Sequence, residues 1–288
     1  MNPDATGTSR RTLLEVEDLV VRYRGKRLGS GFQALSGVSL ELAERETLGL
    51  VGESGSGKTT IGRAILGLAP VTEGRIRFAG RDISAARRRE RRALGRDLQA
   101  VFQDPYSSLN PARTIGDTLA EPLSVQGIAG SEARDRVREL LGRVHLPGDA
   151  MHRLPREFSG GQRQRIAIAR ALALRPRLIV CDEPVSALDL STQARVLDLL
   201  LEIQQDTGVS YLFISHDLDV VRHVSHRVAV LHRGQLVEQG DAEQVTRSPG
   251  HPYTQRLLLA SPVADVDRQA ERRQARLLLP GDAPAAAA

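Results

Sequence analysis

The run Gly52-Glu53-Ser54-Gly55-Ser56-Gly57-Lys58-Thr59 fits G-x-x-x-x-G-K-[ST] at every fixed position, with Thr60 following directly. Its glycines let the backbone curl so that successive N–H groups face phosphate oxygens, and the N-terminus of a following helix adds partial positive charge. Lys58 can neutralise the β- and γ-phosphates of a nucleotide, and the Thr59 hydroxyl can face Mg²⁺. A surface Gly/Ser loop is the competing account, which the predicted strand before the run and helix after it disfavour. A second group of residues ends Leu178-Ile179-Val180-Cys181-Asp182-Glu183, an apolar strand closing on two acids. At the C-terminal edge of a sheet, Asp182 can hold Mg²⁺ through water, and Glu183 can act as general base on an attacking water. Two acids after a strand can also merely cap the next helix; pairing with a phosphate loop favours chemistry.

Elements must position these groups. Leu13 to Val21 and Val38 to Leu42 alternate as strands, with Arg24 to Gly31 between them as a loop. Leu48 to Val51, Leu178 to Cys181 and Tyr211 to Ile214 are short continuous apolar strands. Each is followed by polar residues and then a helical pattern, the first of these through Ile61, Ala64, Ile65 and Leu68. That rhythm predicts an α/β fold with a parallel sheet covered by helices. From Ser131, taken as an N-cap, Ala133, Val137, Leu140, Leu141 and Val144 fall at helical spacing, so the middle reads as a helical insert. Val228 to Leu231, Arg233-Gly234 and Gln235 to Val237 read as a hairpin, and the tail from about Arg268 is expected to fray.

Composition narrows the partners. The 288 residues carry a net charge of +5, and only five Phe, four Tyr and no Trp, too few aromatics for a stacking platform on nucleic acid. The single Cys181 excludes an intrachain disulfide, a Cys-based zinc site and a Cys-ligated iron–sulfur cluster. No apolar run reaches the eighteen or so residues of a membrane span, and the N-terminus lacks the apolar core of a secretory signal, which predicts a cytosolic protein unless a partner carries it to a membrane.

The segment Phe158-Ser159-Gly160-Gly161-Gln162 opens a helical pattern from Gln162 to Leu174, with Pro176 ending it. A Ser159 cap, glycine amides and a helix dipole aimed together make such a start a phosphate contact. Here the chain resembles the ATP-binding subunits of ABC transporters, whose signature is [LF]-S-G-G-Q. The resemblance spans about Leu13 to Pro262 and implies a P-loop NTPase core with an antiparallel β subdomain and a helical subdomain. It places one domain over 12–265, the helical part at about 104–160, and a tail over 266–288. It implies ATP and Mg²⁺ as cofactors, with nucleotide bound by Gly52 to Thr60 of one subunit and by Ser159, Gly160, Gly161 and Gln162 of another. Gln103 matches the glutamine that reaches metal and water, Asp189 in Ser186-Ala187-Leu188-Asp189 matches the D-loop, and His216 matches the histidine at the γ-phosphate. Tyr23 matches the aromatic that stacks on adenine, with Phe32 as competitor. No catalytic position is degenerate, so an active ATPase is implied rather than a nucleotide sensor.

Val101-Phe102-Gln103-Asp104-Pro105-Tyr106-Ser107-Ser108-Leu109-Asn110-Pro111 and Pro249-Gly250-His251-Pro252-Tyr253-Thr254 resemble the oligopeptide/dipeptide/nickel importer ATPases. Some members carry iron–sulfur ligands in the tail; this sequence has no Cys after Cys181. The end of the chain soon after Tyr253 resembles the shorter of the two paired ATPases in such systems. The implied function is ATP hydrolysis powering import of peptides, with nickel import, or an ATPase of a non-transport complex such as carbon–phosphorus bond breakdown or DNA repair, as alternatives. The implied partners are membrane-spanning permeases, a second ATP-binding subunit (paralogous or identical) and, indirectly, an extracytoplasmic substrate-binding protein, with no nucleic acid. The expected place is the cytoplasmic face of the cell membrane. The run Arg87-Arg88-Arg89-Glu90-Arg91-Arg92 reads first as a solvated helix face and second as a contact with anionic lipid.

Overall fold

A computed structural model describes residues 11–24, 31–104 and 108–260. Residues 25–30 of the expected loop, Pro105 to Ser107 of the Gln103 run, Pro262 and the 266–288 tail lie outside the described residues. The chain runs β1 (Thr12–Tyr23), β2 (Phe32–Ala43), β3 (Thr47–Val51), α1 (Lys58–Leu66), β4 (Glu73–Phe78), β5 (Arg81–Asp82), α2 (Arg88–Leu94) and β6 (Leu98–Val101). It continues with α3 (Ile115–Val125), α4 (Gly130–Arg143), two short 3₁₀ turns, α5 (Gly160–Leu172), β7 (Leu178–Asp182) and α6 (Leu190–Thr207). The last elements are β8 (Ser210–Ile214), α7 (Leu218–Val224), β9 (Arg227–His232), β10 (Gln235–Asp241), α8 (Ala242–Arg247) and α9 (Pro252–Ala260).

Two sheets form. An antiparallel sheet has the order β2-β1-β4-β5, and a second sheet has the order β10-β9-β3-β8-β7-β6. In the second, β3, β6, β7, β8 and β9 pair in parallel and only β10 is antiparallel. Strands β3 and β8 are buried along their whole length, which explains their continuous apolar runs: helices cover both faces. One hydrophobic cluster joins the antiparallel sheet (Leu14, Leu19, Leu40) to α1 (Ile61, Ile65) and the neighbouring strands (Val180, Ile214). Another packs α3 (Leu119), α4 (Val137, Leu140) and α5 (Ile166, Ile168) with Phe158 and α6 (Val196, Leu200). The α/β reading of the sequence thus holds, with the antiparallel sheet beside a mostly parallel one.

Several local expectations shift. Ser131 is not an N-cap: Gly130, at φ +68°, turns the chain into α4 two residues earlier, and Ala129 is the cap, without a side-chain bond. Leu68 is 65% exposed rather than on the buried face. The cause is Gly67, which ends α1 in the left-handed conformation at φ 75° and donates to Ala64 O, so Leu68 leaves the helix. Helix α5 starts and stops two residues earlier than its apolar spacing predicts, because Ser159 caps it. Strand β2 begins at Phe32 because it pairs along the length of β1 as far as Tyr23. In the arginine run, Arg87, Arg88, Arg89 and Arg92 are exposed. Arg91 instead turns inward, donating to Ile65 O at 2.8 Å and Ile83 O at 2.6 Å, and so pins α2 to the end of α1.

Candidate active site

Strand β3 leads directly into the Gly52 to Thr59 loop, and α1 follows it. Lys58 is 4% exposed, and its ammonium donates to Gly52 O at 2.6 Å and Glu53 O at 2.8 Å. Burial pushes its pKa down, while the carboxylates of Glu183, Asp182 and Glu53 oppose that shift. A buried cation with two backbone acceptors gains from an incoming anion. One residue on, Thr59 Oγ1 donates to Asp182 Oδ1 at 2.9 Å. Burial raises the Asp182 pKa against the lowering effect of that hydrogen bond.

Parallel pairing of β7 with β8 sets Asp182 opposite Ile214, so the residues that follow both strands emerge side by side. Glu183 adopts φ 50°, in the left-handed region, and its N–H donates to Ile214 O at 2.9 Å. Such a backbone is costly for a non-glycine residue and persists only where neighbours fix it. Its Oε2 lies 3.3 Å from His216 Nδ1. A cavity of about 310 Å³ is lined by Ser54, Gly55, Gly57, Lys58, Thr59, Thr60 and Glu183, with Tyr23 and Phe32 at its aromatic side. The two residues are partners in the β1–β2 register; Tyr23 packs on the core, whereas Phe32 is 65% exposed. Gln103 is exposed two residues beyond β6, at the same edge of the sheet, and does not line the cavity. Gly52, Glu53 and Ser56 also stay off the cavity wall. The Ser56 hydroxyl is buried without a hydrogen-bond partner among the described residues.

Ser159, Gly160, Gly161 and Gln162 form the start of α5. Ser159 Oγ accepts from Gln162 N at 3.3 Å, and Gln162 Oε1 accepts from Ser159 N at 2.9 Å, a reciprocal capping box. A Cβ at Gly161 would fall 2.2 Å from Thr192 Cγ2, so glycine is what lets α5 approach α6 this closely. Asp189 caps α6, accepting from Thr192 N at 3.0 Å and Ser191 Oγ at 2.7 Å. None of these five residues lines the cavity at Lys58.

The oxygen donors fit a small hard cation. Thr59 and Asp182 supply a hydroxyl and a carboxylate within 2.9 Å of each other, and no cluster of three or more His, Cys, Asp or Glu occurs among the described residues. Mg²⁺ is commonly held in that way, by one or two protein oxygens with substrate phosphates completing its shell. A contact absent from the sequence reading is Tyr253, whose hydroxyl accepts from Glu53 N at 3.0 Å and whose ring stacks on His232 at 3.9 Å. The Pro249 to Thr254 run stood out only by its resemblance; no local spacing links it to a loop so distant in sequence.

The ABC transporter family profile matches residues 35–186. The oligopeptide transport ATP-binding protein OppF of Lactococcus lactis subsp. lactis is 48% identical over 276 residues, covering 94% of this chain and 86% of OppF. The glutathione import ATP-binding protein GsiA of Escherichia coli K12 is 50% identical over 278 residues, 94% of this chain but 44% of GsiA, so the chain spans less than half of that protein. Among solved structures, the dimeric post-hydrolysis ATP-binding cassette MJ0796 bound to ADP and Pi aligns with TM-score 0.72 and 29% identity over 80% of this chain and 99% of its own. CbiO1 of Clostridium perfringens, part of the ABC transporter complex CbiONQ, aligns with TM-score 0.75 and 26% identity over 92% of this chain and 99% of its own. The chain belongs to the ABC transporter family, as an ATP-binding subunit with ATPase activity.

Proposed function

We infer that this subunit hydrolyses ATP to power an importer of peptides or a similar small nutrient, together with membrane-spanning permeases and a second ATP-binding subunit. The observation that carries the reading is the convergence at one sheet edge of Lys58, the Thr59–Asp182 pair and the Glu183–His216 pair. Ser54, Gly55, Gly57 and Thr60, which line the cavity, cradle the phosphates and Lys58 offsets their charge. Tyr23 and Phe32 offer ring faces to the base. Thr59 and Asp182, with Gln103 at the same sheet edge, hold Mg²⁺, which supplies charge neutralisation at the phosphates. Glu183 takes a proton from water as the water oxygen bonds to the γ-phosphorus and the bond to the β-phosphate oxygen breaks, releasing ADP and phosphate. His216, beside Glu183, faces the γ-phosphate.

By the resemblance of their run, Ser159 to Gln162, with Asp189, complete the site of a second subunit in a two-fold head-to-tail pair; the ATP-binding cassette MJ0796, to which this chain is similar, is dimeric. Residues 12–265 act as one ATPase domain with a helical part at about 104–160. No helix among the described residues is long and apolar enough to cross a membrane; permeases hold the subunit at the cytoplasmic face, and a substrate-binding protein delivers solute from the other side. The experiment is ATP hydrolysis by this subunit reassembled in vesicles with the permeases encoded beside it and their binding protein. Stimulation by peptides, glutathione included, supports the reading, and stimulation by nickel but by no peptide contradicts it.

A further inference from the structure

The peptide unit between Gly52 and Glu53 is held from both ends. Its N–H, that of Glu53, donates to the Tyr253 hydroxyl at 3.0 Å, and its C=O, that of Gly52, accepts from Lys58 Nζ at 2.6 Å. The N–H and C=O of one planar trans peptide point in opposite directions, so rotating the unit breaks both bonds together. Tyr253 therefore bears on Lys58 without touching it.

Tyr253 is itself fixed. It is 3% exposed, and its ring stacks on His232 at 3.9 Å with an interplanar angle of 9°. His232 ends β9, which pairs in parallel with β3, the strand that feeds the loop. At the start of α9, the Glu238 carboxylate of β10 accepts from Gly250 N at 2.7 Å and His251 N at 3.2 Å, and Tyr253 N donates to His251 Nδ1 at 3.2 Å. The C-terminal segment is thus anchored on the same sheet edge that carries the loop, and one of its hydroxyls reaches into the loop.

We propose that Tyr253 is a positioning residue for ATP binding: its hydroxyl sets the Gly52–Glu53 peptide and, through the Gly52 carbonyl, the place from which Lys58 meets phosphate. The proposal rests on Gly52 to Thr59 being the phosphate loop. It makes the segment around Tyr253 part of the nucleotide site rather than an appendage to the fold.

The test uses the full chain, with Tyr253→Phe, Lys58→Ala and the double variant, and a fluorescent ATP analogue with Mg²⁺ as probe. Tyr253→Phe keeps the ring on His232 and removes only the hydroxyl. It is expected to weaken analogue binding and raise KM for ATP by about three- to tenfold, what one ordinary hydrogen bond supplies, with a smaller fall in kcat. Amide exchange at Glu53 in the nucleotide-free chain is expected to quicken while that of the core strands β3 and β8 stays unchanged, which separates a local release from a general loss of stability. In the Lys58→Ala background the same substitution is expected to change binding by less than about twofold, because coupled residues are not additive. Wild-type affinity in Tyr253→Phe, or its full penalty persisting without Lys58, overturns the proposal alone. Wild-type affinity in Lys58→Ala overturns the phosphate-loop reading and this proposal with it.

Discussion

The Thr59 hydroxyl donates to Asp182 Oδ1 across 2.9 Å, tying the first turn of α1 to the end of β7. Residues 123 positions apart thereby form one oxygen pair at the sheet edge. Thr59→Val keeps the shape and deletes the hydroxyl. It is expected to raise the Mg²⁺ concentration needed for half-maximal ATP hydrolysis by about tenfold or more, the usual cost of disturbing a metal site. Thr59→Ser is expected to recover most of the loss. A Mg²⁺ titration of ATPase activity checks both.

Gly161 faces Thr192 at a distance that leaves no room for a methyl group. Gly161→Ala is expected to destabilise the fold by about 1–3 kcal/mol, the range for overpacking. The interfering atom is Thr192 Cγ2, so adding Thr192→Ser is expected to restore most of that stability. Denaturant unfolding of the single and double variants decides it.

The Ser191 hydroxyl, followed by the Thr192 hydroxyl and amide, holds the Asp189 carboxyl well below the usual carboxylate range. A group whose folded pKa is depressed adds stability that is complete above its unfolded pKa, about 3.9, and is lost as pH falls through the folded value. The α6 cap is therefore expected to stay charged at pH 4 and to fail only in stronger acid. Ser191→Ala is expected to move the Asp189 midpoint up towards 3.9, read by carboxyl NMR titration.

Lys58 lines the cavity at the phosphate loop, whereas Ser159 opens α5 and does not line it. In a two-fold pair, a mixture of Lys58→Ala and Ser159→Arg chains contains one site with both lesions and one with neither. Mixing two inactive variants is expected to restore part of the ATPase activity and to trap labelled ATP in the mixed dimer. Mixed dimers that neither turn over nor trap ATP contradict the shared site.

How much was legible in the sequence depended on how local the cause was. Strands β3 and β8 were readable because burial on both faces leaves an unbroken apolar run. The proximity of Lys58 and Thr59 to Asp182 was readable because a phosphate loop and a strand-end acid share one sheet edge. Leu68 and Ser131 were misplaced because Gly67 and Gly130 redirect the backbone, which apolar spacing alone does not register. Arg91 was hidden in a charged run because its acceptors, Ile65 O and Ile83 O, are backbone atoms of other elements. Tyr253 on Glu53 was not legible at all, since 200 residues separate the partners and tertiary packing alone joins them.

Glu183, at φ 50° and 3.3 Å from His216 Nδ1, is the proposed base for ATP hydrolysis. Glu183→Gln tests it most directly, because the amide preserves shape and removes the proton acceptor. Turnover is expected to fall by about a hundredfold or more, the range for loss of a general base, while the nucleotide retained on the protein is recovered as ATP rather than ADP. Hydrolysis by Glu183→Gln at the wild-type rate contradicts the account.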